Sequence, residues 1–204
     1  MNFNKKALLT MIFSMVITVN VWATKPNIIF IFADDWGWGD LSCHGHPYVK
    51  TPHIDRLAKE GTDFTRFTVA SGVCSPSRTA VMTGHFPARY NINGHFAWVP
   101  SNAKRGMPDW LNPKAPLLPR MLQKAGYHTA HFGKWHIRPQ SLTPDVVGYD
   151  VSDGPTGNFE GDWVSNGVLN SKEDPKRTFG ISERACEFLE KQVVNDSPFF
   201  MQVS

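Results

Sequence analysis

Residues 28–32 read Ile-Ile-Phe-Ile-Phe and are followed by Ala33, Asp34 and Asp35. Five apolar side chains in a row leave no polar face. A half-exposed strand alternates, and a surface helix shows a stripe; this run does neither. It reads as a strand covered on both faces, which is the habit of a mostly parallel sheet. Parallel strands need long crossovers, and helices usually supply them. One short run therefore constrains the chain to an α/β architecture.

The rest of the sequence repeats that alternation. TPHIDRLAKEG predicts a short helix, with Thr51 as its cap, Pro52 in its first turn and Gly61 at its end. Its inner side is expected to carry Ile54, Leu57 and Ala58. FTRFTVA, residues 64–70, is a candidate second strand. PLLPRMLQKAG predicts a helix with Leu118, Met121, Leu122 and Ala125 on one side. YHTAHFG then reads as a strand. ISERACEFLEKQVV predicts an amphipathic helix facing inward through Ile181, Ala185, Phe188, Leu189 and Val193, with Cys186 as a core thiol beside that face. PFFMQVS is a last strand. Strands alternating with helices imply βαβ units and a mostly parallel central sheet with flanking helices.

Two stretches resist assignment to regular elements. Residues 86–116 are rich in Pro, Asn, Gly and Trp and form a long excursion. Phe96, Trp98 and Trp110 either line a substrate cleft or pack the loop on itself. Residues 139–178 are polar and rich in Gly, Pro and Asp.

The N-terminus looks like a targeting segment. MNFNKK is basic, ALLTMIFSMVITVNV is apolar, and VWA offers small residues where a signal peptidase cuts. Cleavage after Ala23 makes 1–23 a signal peptide and 24–204 the mature region, exported to the periplasm or secreted. A retained anchor is the other reading, but Asn20 interrupts a run already short for a span. No stable membrane span is expected after cleavage. The net charge of +3 is small and no basic block follows a phosphate backbone, so nucleic-acid binding is not expected.

Chemistry is sought at the carboxyl ends of the strands, where open α/β sheets bind ligands. Asp34 and Asp35 end the first strand. Their repulsion is relieved by a hard cation such as Ca²⁺ or Mg²⁺, or by backbone amides of a capped loop. Lys134 and His136 follow the 127–133 strand. Together they suit an anion and a proton donor, or are a solvated lysine and a packed histidine. In GVCSPSRTAVMTG, residues 72–84, Ser75 caps a helix, Pro76 opens it and Gly84 ends it. Cys74 would then stand just before a helix N-terminus, which favours an anion, with Arg78 one turn on. A structural thiol is the bland alternative. Three cysteines in an exported chain leave one over if two pair, and spacing does not say whether Cys43 and Cys186 do.

Taken together, these motifs resemble the type I sulfatases. Cys74-Ser75-Pro76-Ser77-Arg78 followed by TAVMTG is similar to the first sulfatase signature, and GYHTAHFGKWH to the second. FADDWGWGD resembles the N-terminal metal loop of that family, and TPHIDRLAKEG the helix after it. MPDW and LLPRMLQKAGY resemble bacterial members similar to N-acetylgalactosamine-6-sulfatases and arylsulfatases.

The resemblance implies an alkaline-phosphatase-like fold and a sulfuric ester hydrolase acting on a sulfated carbohydrate or aryl sulfate. It implies that a maturation enzyme converts Cys74 to formylglycine. It assigns Asp34, Asp35 and the formylglycine oxygen at position 74 to Ca²⁺, with Mg²⁺ as the alternative metal. Arg78 would hold the nucleophile, Lys134 would contact the sulfate, and His136 would assist proton transfer. Family members are longer, so the chain corresponds to the N-terminal part of the catalytic domain. Two carboxylates do not complete a six-oxygen site, and the 204-residue piece is expected to be inactive alone and to bind Ca²⁺ weakly. The rival readings are a phosphatase or phosphodiesterase of the same superfamily, and a non-catalytic carbohydrate-binding remnant in which Cys74 stays a thiol.

Overall fold

The structure is a computed structural model that describes residues 25–137, 142–154, 177–195 and 197–204. The expected signal peptide, 1–23, and most of the 139–178 stretch lie outside the described residues. The strands are β1 (Ile28–Ile31), β2 (His128–Phe132), β3 (Val151–Ser152) and β4 (Phe199–Val203). The helices are α1 (Pro52–Glu60), α2 (Cys74–Thr83), α3 (Val99–Lys104), α4 (Leu118–Lys124), α5 (Pro144–Val147) and α6 (Thr178–Val193). Among the described residues, no helix is long and apolar enough to cross a membrane.

All four strands are parallel, in the order β1-β4-β2-β3. The expected mostly parallel sheet with helices is therefore present. Register places Ile28, Phe200 and Thr129 in one cross-strand row, and Phe30, Gln202 and His131 in the next. These rows belong to the face that meets the larger core, where Met82, Ile92, Phe96, Leu111, Trp135 and Tyr149 gather. The opposite face carries Ala130, Phe132, Phe199 and Met201 against Ile181, Ala185 and Phe188 of α6. Full burial of each large apolar side chain contributes about 1.5–3 kcal/mol, so both faces are firmly held.

The first strand departs from its expected burial. Ile29 is 50% exposed and Ile31 69% exposed. β1 is an edge strand, and α6 packs on β2 and β4, so among the described residues the second face of β1 is left exposed at Ile29 and Ile31. Residues 64–70 form no strand; Phe64, Phe67 and Val69 lie exposed in a turn and loop. Apolar content alone suggested a strand there, but among the described residues no strand pairs with it.

Helix α6 faces inward through Ile181, Ala185 and Phe188, with Leu189 half-buried. Its last inward residue is Gln192, not Val193, which is exposed. Eleven residues after Ile181 is about three whole turns and returns to the same face; twelve is not. Cys186 is likewise exposed rather than buried, one step round from Ala185. None of the three cysteines is bridged, so Cys43 and Cys186 do not pair in this structure. On α4, Leu118 and Leu122 pack against the core, while Met121 and Ala125 face outward. Helix α1 runs from Pro52 to a stop at Gly61, as expected, but Leu57 is exposed.

Candidate active site

The cleft lies beyond the carboxyl end of β1, at the end of the sheet where the sheet rule places it. Phe32, Ala33, Asp34, Asp35 and Trp36 form one wall, and Ser71, Gly72, Val73, Cys74 and Ser77 the other. The two segments face each other because β1 runs into the carboxylate pair while α2 begins at Cys74.

Helix α2 starts two residues earlier than its Ser-Pro pair suggests. Val73 is the cap, and Cys74 sits in the first turn, half-buried at the cleft. Gly84 ends the helix in a left-handed conformation, as read from the sequence. Ser75 does not cap. It is fully buried; its Oγ donates to the His136 carbonyl at 3.0 Å and accepts the Phe96 N–H at 3.1 Å. Ser75 thus ties α2 to the segment after β2 and to the excursion. Its Ser-Pro context gave only the capping signal, and that concealed its role.

Arg78 is 2% exposed and lies across the Phe32 ring, 5.5 Å from its centroid. One terminal N–H donates to the Lys134 carbonyl, and the other to Asp34 Oδ1 at 3.2 Å. Lys134 is 5% exposed, so the solvated-lysine alternative falls. Its ammonium donates to Asp34 Oδ2 at 2.6 Å. Burial alone would raise the Asp34 carboxyl; the hydrogen bonds and charges of Lys134 and Arg78 outweigh it and hold the group below its ordinary value. The structure thus brings Asp34, Arg78 and Lys134 together beside Cys74.

Asp35 adopts φ +59°, unusual for a side-chain-bearing residue, and it lines the cleft in an exposed position. His136 also has positive φ, +48°. Such outliers concentrate at functional sites. Burial, with the Lys134 and Arg78 charges, pushes the His136 imidazole down to about 4. At neutral pH it is an uncharged base, so the resident proton donor expected from sequence is not its ground state. Its Nδ1 is buried without a partner. His131 lies at the same end of β2, fully buried, with neither ring nitrogen partnered.

The carboxylate pair has the oxygen chemistry of a hard divalent cation site. Two carboxylates offer at most about four oxygens, short of the six to eight that Ca²⁺ takes. Both oxygens of Asp34 already accept from cations. Among the described residues, no group of three or more His, Cys, Asp or Glu side chains forms a metal cluster. Asp34 and Asp35 therefore fit part of such a site, with the hard oxygen chemistry it needs.

The aromatics of the excursion do not line this cleft. Phe96 is in the core, while Trp98 and Trp110 are exposed away from it. Trp36 is the indole that does line it.

A family model described as Sulfatase matches residues 26–204. N-acetylgalactosamine-6-sulfatase of Sus scrofa is 45% identical, covering 86% of this chain and 38% of the relative. The solved structure of Ps i-CgsB in complex with k-i-k-neocarrahexaose aligns with TM-score 0.69 and 30% identity, over 87% of this chain and 44% of that one. A structure in complex with its substrate D-glucosamine-2-N,6-O-disulfate aligns with TM-score 0.60 and 27% identity, over 87% of this chain and 33% of that one. The chain spans less than half the length of each. The matched region covers both strand-end motifs and the start of α2, and the chain belongs to the sulfatase family.

Proposed function

We propose that this chain is the N-terminal part of the catalytic domain of an exported sulfuric ester hydrolase that acts on a sulfated carbohydrate. The observation that carries this reading is the convergence of Arg78, Lys134 and Asp34 beside Cys74 at the start of α2. Two buried cations and a helix N-terminus at one cleft suit a tetrahedral dianion or monoanion. The carbohydrate class follows the relatives, whose names and bound ligands are sulfatases and sugars.

Cys74 is the residue we assign to formylglycine. Position 74 would hold that group, and its hydrated aldehyde would supply an oxygen nucleophile for the ester sulfur, with the ester oxygen leaving as the alcohol, and a second hydroxyl for the later release of sulfate. Asp34 and Asp35 would hold Ca²⁺, which supplies positive charge beside the sulfate oxygens. Arg78 is fixed by the Lys134 carbonyl and Asp34, so its charge is held at the carboxylate that lines the cleft. Lys134 binds the anion from the opposite side, at a preorganised site that costs little reorganisation. His136, uncharged at neutral pH, accepts a proton at the nucleophile and returns it later.

The test is peptide mass spectrometry on residues 67–89 after co-expression with a maturation enzyme. Formylglycine lowers the mass by about 18 Da through loss of H₂S and gain of oxygen. A thiol retained at position 74 in such a host would favour the non-catalytic remnant. Under the proposal the 204-residue piece does not turn over aryl sulfates, and the complete domain does.

A further inference from the structure

The turn that presents Lys134 is held from behind by residues the proposed chemistry does not touch. Asp153 follows β3, and its side chain is 2% exposed. Its Oδ2 accepts the Gly133 N–H at 2.8 Å. Arg184 of α6 donates to Asp153 Oδ1 and Oδ2, each at 2.6 Å, as a two-pronged pair. On the other side of Gly133, the Lys134 N–H donates to the Ser204 carbonyl at 3.1 Å.

These bonds fix the peptide planes on both sides of one α-carbon. The plane before Gly133 is set by Asp153, and the plane after it by Ser204. With both fixed, φ and ψ of Gly133 are fixed, and so is the direction in which the chain enters Lys134. Gly133 stands at φ +93°, and a Cβ there would meet the Ser204 oxygen at 1.9 Å. A buried ion pair is weak evidence for stability, because an apolar replacement is often as stable. What a two-pronged pair supplies is orientation. We infer that Asp153 and Arg184 are a positioning pair, fixing the Gly133–Lys134 turn so that the Lys134 ammonium stays on Asp34 at the cleft. The consequence for sulfate rests on the anion-site reading above; the geometry does not.

The experiment uses the 204-residue chain, with NMR exchange rates as readout. Asp153→Asn keeps the volume but faces Arg184 with an amide or loses an acceptor. Arg184→Lys keeps the charge but loses the fork. Each variant is expected to speed exchange of the Gly133 amide and the Lys134 ammonium by about 10-fold or more, while amides of β1 keep their rates. Inorganic sulfate should bind about 5-fold more weakly to each variant, and Asp153→Asn should add no loss in a Lys134→Ala background. Unchanged Lys134 exchange in the folded variants overturns the inference, as does equal loosening of β1. An additive sulfate loss in the Lys134→Ala background overturns it too. If Asp153→Asn does not fold, Arg184→Lys decides. A wild-type chain that fails to bind sulfate, yet shows the Lys134 effect, sinks the anion-site reading and leaves the positioning pair standing.

Discussion

Lys134 and Asp34 are 100 residues apart in sequence and 2.6 Å apart in space. The contact joins the end of β2 to the end of β1, across β4, and Arg78 completes it from α2. Asp34 therefore occupies donors of both cations that the proposed anion needs, offsetting one of their two charges. An incoming sulfate competes with this carboxylate for the same donors, unless a metal takes the carboxylate away.

Asp34→Ala leaves Arg78 and Lys134 as buried cations without a counter-charge. Removing one partner of a fully buried pair costs about 3–5 kcal/mol. Asp34 is 31% exposed at its side chain, and water recovers part of that, so the expected loss is about 2 kcal/mol. Urea denaturation measures it. Added sulfate should restore much of the lost stability in the variant, by filling the place of the carboxylate, and stabilise the wild type by less, because there it competes with Asp34. A variant as stable as wild type without sulfate would show that the cations are solvated and the cleft is not preorganised.

Gly133→Ala and Gly84→Ala form a matched pair. Both glycines have positive φ, +93° and +67°. At Gly84 a Cβ meets nothing within 4 Å, so only the backbone penalty applies, about 1 kcal/mol. At Gly133 the new carbon would sit 1.9 Å from the Ser204 oxygen, and the β2–β4 junction must part. A loss above about 3 kcal/mol, or failure to fold, is expected there. Thermal melts compare the two; similar shifts would mean that the Ser204 end yields freely.

Acid should destabilise the chain well above the carboxylate range. Burial and then the Arg78 charge lower His131 from 6.5 to about 3; burial, Lys134 and Arg78 lower His136 to about 4. Between those values and 6.5 the unfolded chain binds protons that the folded chain refuses. Stability is therefore full above pH 6.5 and falls as pH drops toward 3, by up to about 1.4 kcal/mol per pH unit for each histidine. Asp34 is lowered and so adds its own loss, but only as pH falls below its ordinary 3.8. Urea midpoints between pH 7 and 4.5 read the histidine window before the carboxylates titrate. His131→Met should flatten that slope; an unchanged slope would mean that His131 is protonated in the fold.

The α/β class was legible because a run of five apolar residues and repeated capping signals are local facts. The cleft residues were legible because strand ends and helix starts are marked by Asp34, Cys74 and Gly133 in the chain itself. What could not be read was anything set by neighbours distant in sequence. Ile29 and Ile31 look buried until β1 proves to be an edge strand. Val193 looks like core until the helical phase brings Gln192 inward. Lys134 reads from the residues as either an anion binder or a solvated lysine, and only the contact with Asp34 removes the second reading. Asp153 and Arg184 carry no motif, since only the β2–β3 register and the placement of α6 bring them to Gly133.

Ser75 is the point where local and distant information diverge most. As a cap it would be replaceable by Asp or Asn, and its loss would cost about 1 kcal/mol. As the observed bridge it serves two backbone groups in a buried place, the His136 carbonyl and the Phe96 N–H. Ser75→Ala leaves both without that partner, and each buried unsatisfied group costs about 1–3 kcal/mol. A total near 3 kcal/mol is expected by denaturation. Ser75→Asp should be worse than Ala, because a carboxylate has no proton to give the His136 carbonyl and meets burial uncompensated. A capping serine would predict the reverse order, so the ranking of Ala and Asp at this one position separates the two roles.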